Sequence, residues 1–245
     1  MRIGIIGYGK MGREIEAVAL KRGHSAISID PNSDADFKDI NAESLSQVDV
    51  CVDFTHPDVA LANIRKVAAL QKNIVVGTTG WYGDMNQVKR IVEKSGIGFI
   101  WSGNFSLGVN MFLKVIQLAS SIIDKTPEYD VFGYEIHHNG KADSPSGTAN
   151  MIAKLLTDSI KRKEKIVYDK LDRKIRPDEI HFASVRGGSV PGTHVVCFDS
   201  VFDTIELRHT ARTRQGFALG AVLAAEFIKD KKGLFEIEDL MKSVL

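Results

Sequence analysis

Two imidazoles, an ammonium, two carboxylates and a Ser-Gly-Thr turn fall within one short run of this chain, Glu135-Ile-His137-His138-Asn-Gly-Lys141-Ala-Asp143-Ser-Pro145-Ser146-Gly147-Thr148-Ala149. Imidazole and ammonium groups are the side chains best suited to moving a proton near neutral pH. The run leads into Met151, Ile152, Leu155, Leu156 and Ile160, apolar residues at helical spacing, so Ser146, Gly147 and Thr148 open a helix. A helix start offers unpaired N–H groups and partial positive charge, which suit an anion, and Lys141 adds a second cationic group nearby. Together these features predict a small polycarboxylate held beside proton-transferring groups. A capped helix after a polar loop accounts for Ser-Gly-Thr alone but not for the whole run. A zinc site built from His137, His138 and Asp143 is disfavoured, because adjacent His ligands without Cys are an uncommon metal set.

The N-terminal hundred residues supply a second kind of chemistry. A short apolar strand over 3–6 feeds Gly7-Tyr8-Gly9-Lys10-Met11-Gly12, a helix over 13–22 ended by Gly23, and a strand over 25–29 that finishes in Asp30. G-x-G-x-x-G between strand and helix, with an acid closing the next strand, predicts a dinucleotide site. Gly7 permits the tight turn, Gly9 the approach of a pyrophosphate and Gly12 close helix–strand packing, while Asp30 accepts from the adenosine ribose. Strands over 48–53, 73–76 and 98–101 extend the parallel sheet, with helices over 58–70 and 83–94 between them. Their C-terminal ends deliver Thr55, Gly77, Thr78, Thr79 and Asn104, candidate contacts for the nicotinamide half.

These elements predict an α/β chain with a Rossmann-type parallel sheet domain and a second, mixed-sheet α+β domain for substrate and oligomerisation. A helix over 107–121 opens the second half, followed by strands over 129–136, 180–185, 193–202 and 203–209. A half-exposed sheet of this kind is often a subunit contact. A final Ala- and Leu-rich helix over 217–229 suits packing back on the first domain. The predicted boundaries are 1–106, completed by 217–245, for dinucleotide binding and 107–216 for substrate binding and tetramerisation.

With 32 basic and 31 acidic residues the net charge is +1, which argues against nucleic acid or a membrane surface as the main partner. The basic run Lys161-Arg-Lys-Glu-Lys165 reads as a solvated helix terminus. Cys51 and Cys197 lack metal-ligand spacing and read as reduced core thiols. The chain enters a strand at once, which predicts no secretory signal, and no apolar run approaches the roughly 18 residues of a bilayer span. A cytoplasmic location follows as the expectation.

The chain resembles the dihydrodipicolinate reductase family, also called 4-hydroxy-tetrahydrodipicolinate reductase. The residues that carry the resemblance are Gly7 to Gly12, Gly77-Thr-Thr-Gly80, Asn104-Phe-Ser-Leu-Gly-Val-Asn110 and above all the run from Glu135 to Ala149. It implies a homotetramer that uses NADH or NADPH to reduce a small cyclic dicarboxylate in lysine and diaminopimelate biosynthesis. By the same resemblance His137 and Lys141 handle the proton, and His138, Ser146, Gly147 and Thr148 bind carboxylate. Gly7, Tyr8, Gly9, Lys10, Met11, Gly12, Asp30, Thr55, Gly77, Thr78, Thr79, Ser102, Gly103, Asn104 and Phe105 then contact the dinucleotide, and no metal is implied. Phe132 stands where many members carry an acid, and Gly140 where longer members carry a base. The second departure leaves open how many cations meet the distal carboxylate, with Arg214 an open candidate to assist. Asp30 followed by Pro31, without Arg or Lys, predicts NADH used at least as well as NADPH. Two alternatives remain, another NAD(P)-dependent reductase of similar build and a redox-sensing dinucleotide-binding regulator. The His-His-x-x-Lys run opposes the first, and the lack of a visible helix-turn-helix or basic arm opposes the second.

Overall fold

Short runs of β-branched residues, each closed by a polar or glycine-containing turn, build the first sheet. In chain order they give β1 (Arg2–Ile6), α1 (Lys10–Lys21), β2 (Ser25–Ile29), β3 (Val50–Asp53), α2 (Pro57–Ala69), β4 (Asn73–Val76), a 3₁₀ turn (Tyr82–Asp84), α3 (Met85–Ser95) and β5 (Gly98–Trp101) in a computed structural model that describes residues 1–244. The chain continues through α4 (Leu107–Ile123), β6 (Asp130–His137), α5 (Gly147–Ser159), β7 (Lys165–Val167), β8 (Glu179–Arg186), β9 (Thr193–Asp199) and β10 (Thr204–Thr210). It closes with α6 (Gln215–Ile228), β11 (Gly233–Glu236) and α7 (Ile237–Val244). Two compact units result, Met1–Leu107 with the segment from Arg214 onward, and Gly108–Thr213.

In the first unit the strand order is β11-β5-β4-β3-β1-β2, and every neighbouring pair is parallel. The chain reverses direction across the sheet between β1 and β3, which opens a crevice at their C-terminal ends. Both faces are covered, so Ile3, Ile5, Val50, Val52 and Val75 are fully buried. This is why the strands read as continuous apolar runs. Helix α6 covers one face with Ala218, Ala221, Ala224 and Ala225, small residues that allow close approach. Where the sequence predicts a single closing helix, β11 and α7 follow it. Gly233–Glu236 is only four residues long, too short to show a period, and pairing with β5 decides its state.

The second unit has the order β10-β9-β6-β8-β7, with β6, β8 and β7 parallel and β9 antiparallel to both β6 and β10. Phe112 and Ile116 of α4 and Ile152 and Leu156 of α5 pack on Phe182, Val196 and Phe198 of one sheet face. Phe132 and Val185 remain 41% and 48% exposed. Three expectations change here. The buried face of α5 is Ala149, Ile152, Ala153 and Leu156, whereas Met151 is exposed, because small residues rather than the largest ones fit against the sheet. The three-residue strand β7 is an added edge. Lys163 is buried, donating to the carbonyls of Pro177 and Glu179 and pairing with Asp130, so the basic run is partly an internal tie and not a solvated terminus.

The tightest approach in the first unit is at Gly220 of α6, where a Cβ would lie 1.7 Å from the carbonyl oxygen of Phe105. Gly→Ala inside a helix ordinarily gains roughly 1 kcal/mol. Here Gly220→Ala is expected to cost about 2 kcal/mol or more, because backbone must move. Urea unfolding measures it, and a stabilised variant would show that α6 slides freely on the Phe105 turn.

Candidate active site

The glycine loop joins β1 to α1 at the crevice of the parallel sheet. Gly7 holds φ +89°, and a Cβ there would meet the Phe54 carbonyl oxygen at 2.4 Å. A Cβ on Gly12 would lie 2.3 Å from the Gly7 carbonyl, whereas the space beside Gly9 is open. Lys10, Met11 and Gly12 form the first turn of α1, capped by Gly9 with no side-chain partner. The Tyr8 hydroxyl bonds Glu16, and its amide donates to Asp30 Oδ2 at 2.8 Å. Asp30 Oδ1 accepts from Asn32 N at 2.8 Å, so the carboxylate is fixed at the end of β2 with acceptor capacity to spare. A cavity of about 480 Å³ lies here, lined by Gly7, Gly9, Asp30, Pro31, Thr55 and also Lys38, His56 and Lys66.

Below this crevice sits a residue the motif does not point to. Asp53, fully buried, ends β3; its Oδ1 accepts from Thr78 Oγ1 at 2.6 Å and Thr55 Oγ1 at 2.8 Å, and its Oδ2 from Asn63 Nδ2 at 2.8 Å. Burial pushes this carboxyl up, opposed by those donors. The hydroxyls of Thr55 and Thr78 are therefore spent inside the protein. Gly77 and Thr79 flank Thr78 after β4, and a Cβ on Gly77 would strike the Phe54 ring. After β5, Ser102 Oγ bonds the backbone of Asn104, with Gly103 between them, and the Phe105 side chain is core, 6.2 Å from the Phe54 ring.

The second unit places the His-rich run at the end of β6. His137 is the last strand residue and is buried; His138 follows outside the strand, half-buried. Lys141 Nζ lies 2.7 Å from Asp143 Oδ1, whose carboxyl it holds down. Ser146 caps α5, its Oγ accepting from Ala149 N at 3.1 Å, and Gly147 and Thr148 form the first turn. The space beside Gly147 is open. The cap is buried, so Ser146 builds the anion-friendly turn, with Gly147 exposed and Thr148 half-buried after it.

Glu135, Ser184, Arg186 and His194 complete this site, and periodicity alone assigns none of them a role. Arg186 and His194 stand about 50 residues from the run, and only strand register brings them in. Glu135 Oε1 accepts from Ser146 N at 2.9 Å, Ser184 Oγ at 2.9 Å and Arg186 Nη2 at 2.7 Å. Glu135, His137 and His194 are also the buried trio among the described residues whose spacing would suit a cation. Arg186 already neutralises that carboxylate, which opposes a metal there.

Family models described as dihydrodipicolinate reductase, N-terminus, and dihydrodipicolinate reductase, C-terminus, match residues 1–105 and 108–241. The chain belongs to the dihydrodipicolinate reductase family. It is 38% identical over 244 residues to the 4-hydroxy-tetrahydrodipicolinate reductase of Christiangramia forsetii, covering 100% of this chain and 99% of that protein. It is 38% identical over 202 residues to the enzyme of the same name from Ralstonia pickettii, covering 80% and 75%. The fold is similar to that of a dipicolinate-bound dihydrodipicolinate reductase from Paenisporosarcina sp. TG-14, with TM-score 0.76 at 24% identity over 96% of this chain and 97% of that one.

Burial moves His137 from 6.5 down to about 4; the Glu135 charge opposes this, and His194, Lys141 and Arg186 add to it. The folded state thus favours neutral imidazole. The unfolded chain takes up a proton first as pH falls, so this contribution to stability is lost between 6.5 and about 4. An NMR titration of the free protein should give His137 a midpoint near 4. A midpoint at 6.5 would mean that water reaches the ring.

Proposed function

We propose that this chain is a 4-hydroxy-tetrahydrodipicolinate reductase using NADH or NADPH. The observation that carries the reading is the end-to-end match to the Christiangramia forsetii relative of that name, together with a Glu135 to Ala149 run that spans one strand end and the helix start after it. Residues of the first unit fit the cofactor: the open space at Gly9, the uncapped α1 start and the fixed Asp30 carboxylate suit pyrophosphate and ribose. When bound, the nicotinamide supplies the hydride. Gly7 to Gly12 hold the phosphates through backbone amides, while Asp53 fixes the Thr55 and Thr78 turns for the nicotinamide half. Gly77, Thr79, Ser102, Gly103, Asn104 and the Phe105 backbone complete those turns.

Substrate recognition falls to the second unit. The first-turn amides at Gly147 and Thr148 bind one carboxylate, and His138 assists. Reduction leaves negative charge on the substrate ring and calls for a proton, and Lys141 neutralises and protonates it. His137 works beside Lys141 in handling that proton. The dipicolinate-bound relative supports a planar dicarboxylate in this role. The sheet face that carries the exposed Phe132 and Val185, and the exposed Val201-Phe202 turn, support self-association as a homotetramer. No helix among the described residues is long and apolar enough to cross a membrane, and cytoplasmic location is part of the proposal.

Oxidation of NADH at 340 nm on addition of coupled synthase product tests the activity, and its absence would sink the reading. Lys141→Ala should lower turnover by roughly 10²–10⁴-fold, as removal of a positioned acid does. Thr148→Val should raise the substrate KM more than it lowers kcat. Near-normal turnover without Lys141 would remove it from the mechanism.

For cofactor choice, NADH should be preferred by roughly tenfold, about 1.4 kcal/mol. A 2′-phosphate would meet the Asp30 carboxylate, and Pro31 offers it no N–H. Lys38 and Lys66 line the same cavity and limit the preference. Initial rates with both cofactors decide it. A tenfold advantage for NADPH would mean the lysines outweigh Asp30.

A further inference from the structure

Behind His137 lies a carboxylate whose partners leave one oxygen for the ring. Three donors engage Glu135 Oε1, whereas Oε2 stands 3.0 Å from His137 Nδ1 and 3.5 Å from His194 Nε2. Neither Oε2 nor Nδ1 has an aligned hydrogen bond despite that 3.0 Å separation. A small ring rotation would align them, as often happens only when a ligand closes a site. The opposite edge of the ring faces Gly192, where a Cβ would lie 2.9 Å from Nε2.

We propose that Glu135 is a positioning residue of the reductase, holding His137 in its Nδ1–H form so that Nε2 presents a lone pair and accepts a hydrogen bond from an O–H or N–H group of the substrate, with Gly192 keeping the space Nε2 needs. This assignment rests on the reductase reading. It divides the proton-handling pair: His137 accepts and Lys141 donates. The charged groups facing the ring are Glu135 on its own strand, Arg186 on β8, His194 on β9 and Lys141 in the loop that follows. Glu135 is the only anion among them. An anion beside Nδ1 favours a proton on that atom, and a lone pair there would face oxygen lone pairs. Burial opposes ionisation of Glu135, but His194, Ser146 and Arg186 together hold its carboxyl well below the usual range.

The test begins with ¹⁵N NMR of the imidazoles in the wild-type protein near pH 7, where His137 should carry its proton on Nδ1. Glu135→Gln should populate the other tautomer and lower kcat roughly ten- to a hundredfold, part of what a positioned acid–base group contributes. Dipicolinate affinity should stay within about threefold, or about 0.7 kcal/mol. Glu135→Asp should recover part of kcat and of the Nδ1–H signal, which a purely structural role would not produce. Should Glu135→Gln fail to fold, Gly192→Ala decides, since it displaces the same ring from the other side and should lower kcat likewise. Wild-type His137 protonated on Nε2 would overturn the proposal. Full turnover in the folded variants, or stoichiometric metal bound at His137, would overturn it too. Wild-type protein with the Nδ1–H form but no reductase turnover would instead sink the reductase reading.

Discussion

A carboxylate sealed from water needs donors and a compensating charge to stay ionised; Glu135 takes three donors on Oε1, from β8 and the start of α5, and sets Oε2 beside the rings of His137 and His194. Ser184 stands directly opposite it on β8 and His194 directly opposite on β9, so the register of both strand pairs is the register of this one site. Ser146 brings in the start of α5, and Arg186 supplies the compensating cation. A slip of one residue in either pairing would turn Glu135 to the other face of the sheet and leave the charge unpartnered. The geometry of His137 and of the α5 anion turn is therefore a consequence of satisfying this carboxylate.

The first unit solves a similar problem with different chemistry. Asp53 also ends a strand and is also fully buried, but its donors are hydroxyls, an amide side chain and backbone N–H. Those donors only partly offset desolvation, so the Asp53 carboxyl is pushed up, while Glu135, beside His194, Ser146 and the Arg186 guanidinium, is held down. The difference matches the tasks. Asp53 ties together the turns after β3 and β4 by accepting at both of its oxygens. Glu135 stays charged next to an imidazole whose tautomer it can set.

How much of this was legible in the sequence depends on range. The parallel sheet followed from apolar runs such as Ile74-Val75-Val76 closed by Gly77, and the crevice from Gly7 to Gly12, because those signals are local. The start of α5 was legible from Ser146 and the apolar period behind it. The phase of that helix was not, since Ala149 and Ala153 outcompete Met151 for the sheet only when the sheet is present. Lys163 looked like one charge in a basic run, yet carbonyls contributed by Pro177 and Glu179 make it internal. Arg186 and His194 belong to strands whose composition reads as ordinary; nothing in Val-Arg-Gly-Gly or Thr-His-Val-Val names the carboxylate they will meet.

Ligand recognition shows the same division between local and long-range information. The hydroxyls that a motif reading assigns to ligands, those of Thr55, Thr78, Ser102 and Ser146, are occupied by the protein itself. What remains toward open space is backbone, at Gly9 and at Gly147, where no neighbouring atom would meet a Cβ. Phosphate and carboxylate oxygens suit such amide-lined turns, because N–H groups at a helix start bind anions without a mobile side chain to order. The small polar residues then act one step back, shaping the turns, and the proposed proton chemistry falls to side chains the turns cannot replace, His137 and Lys141.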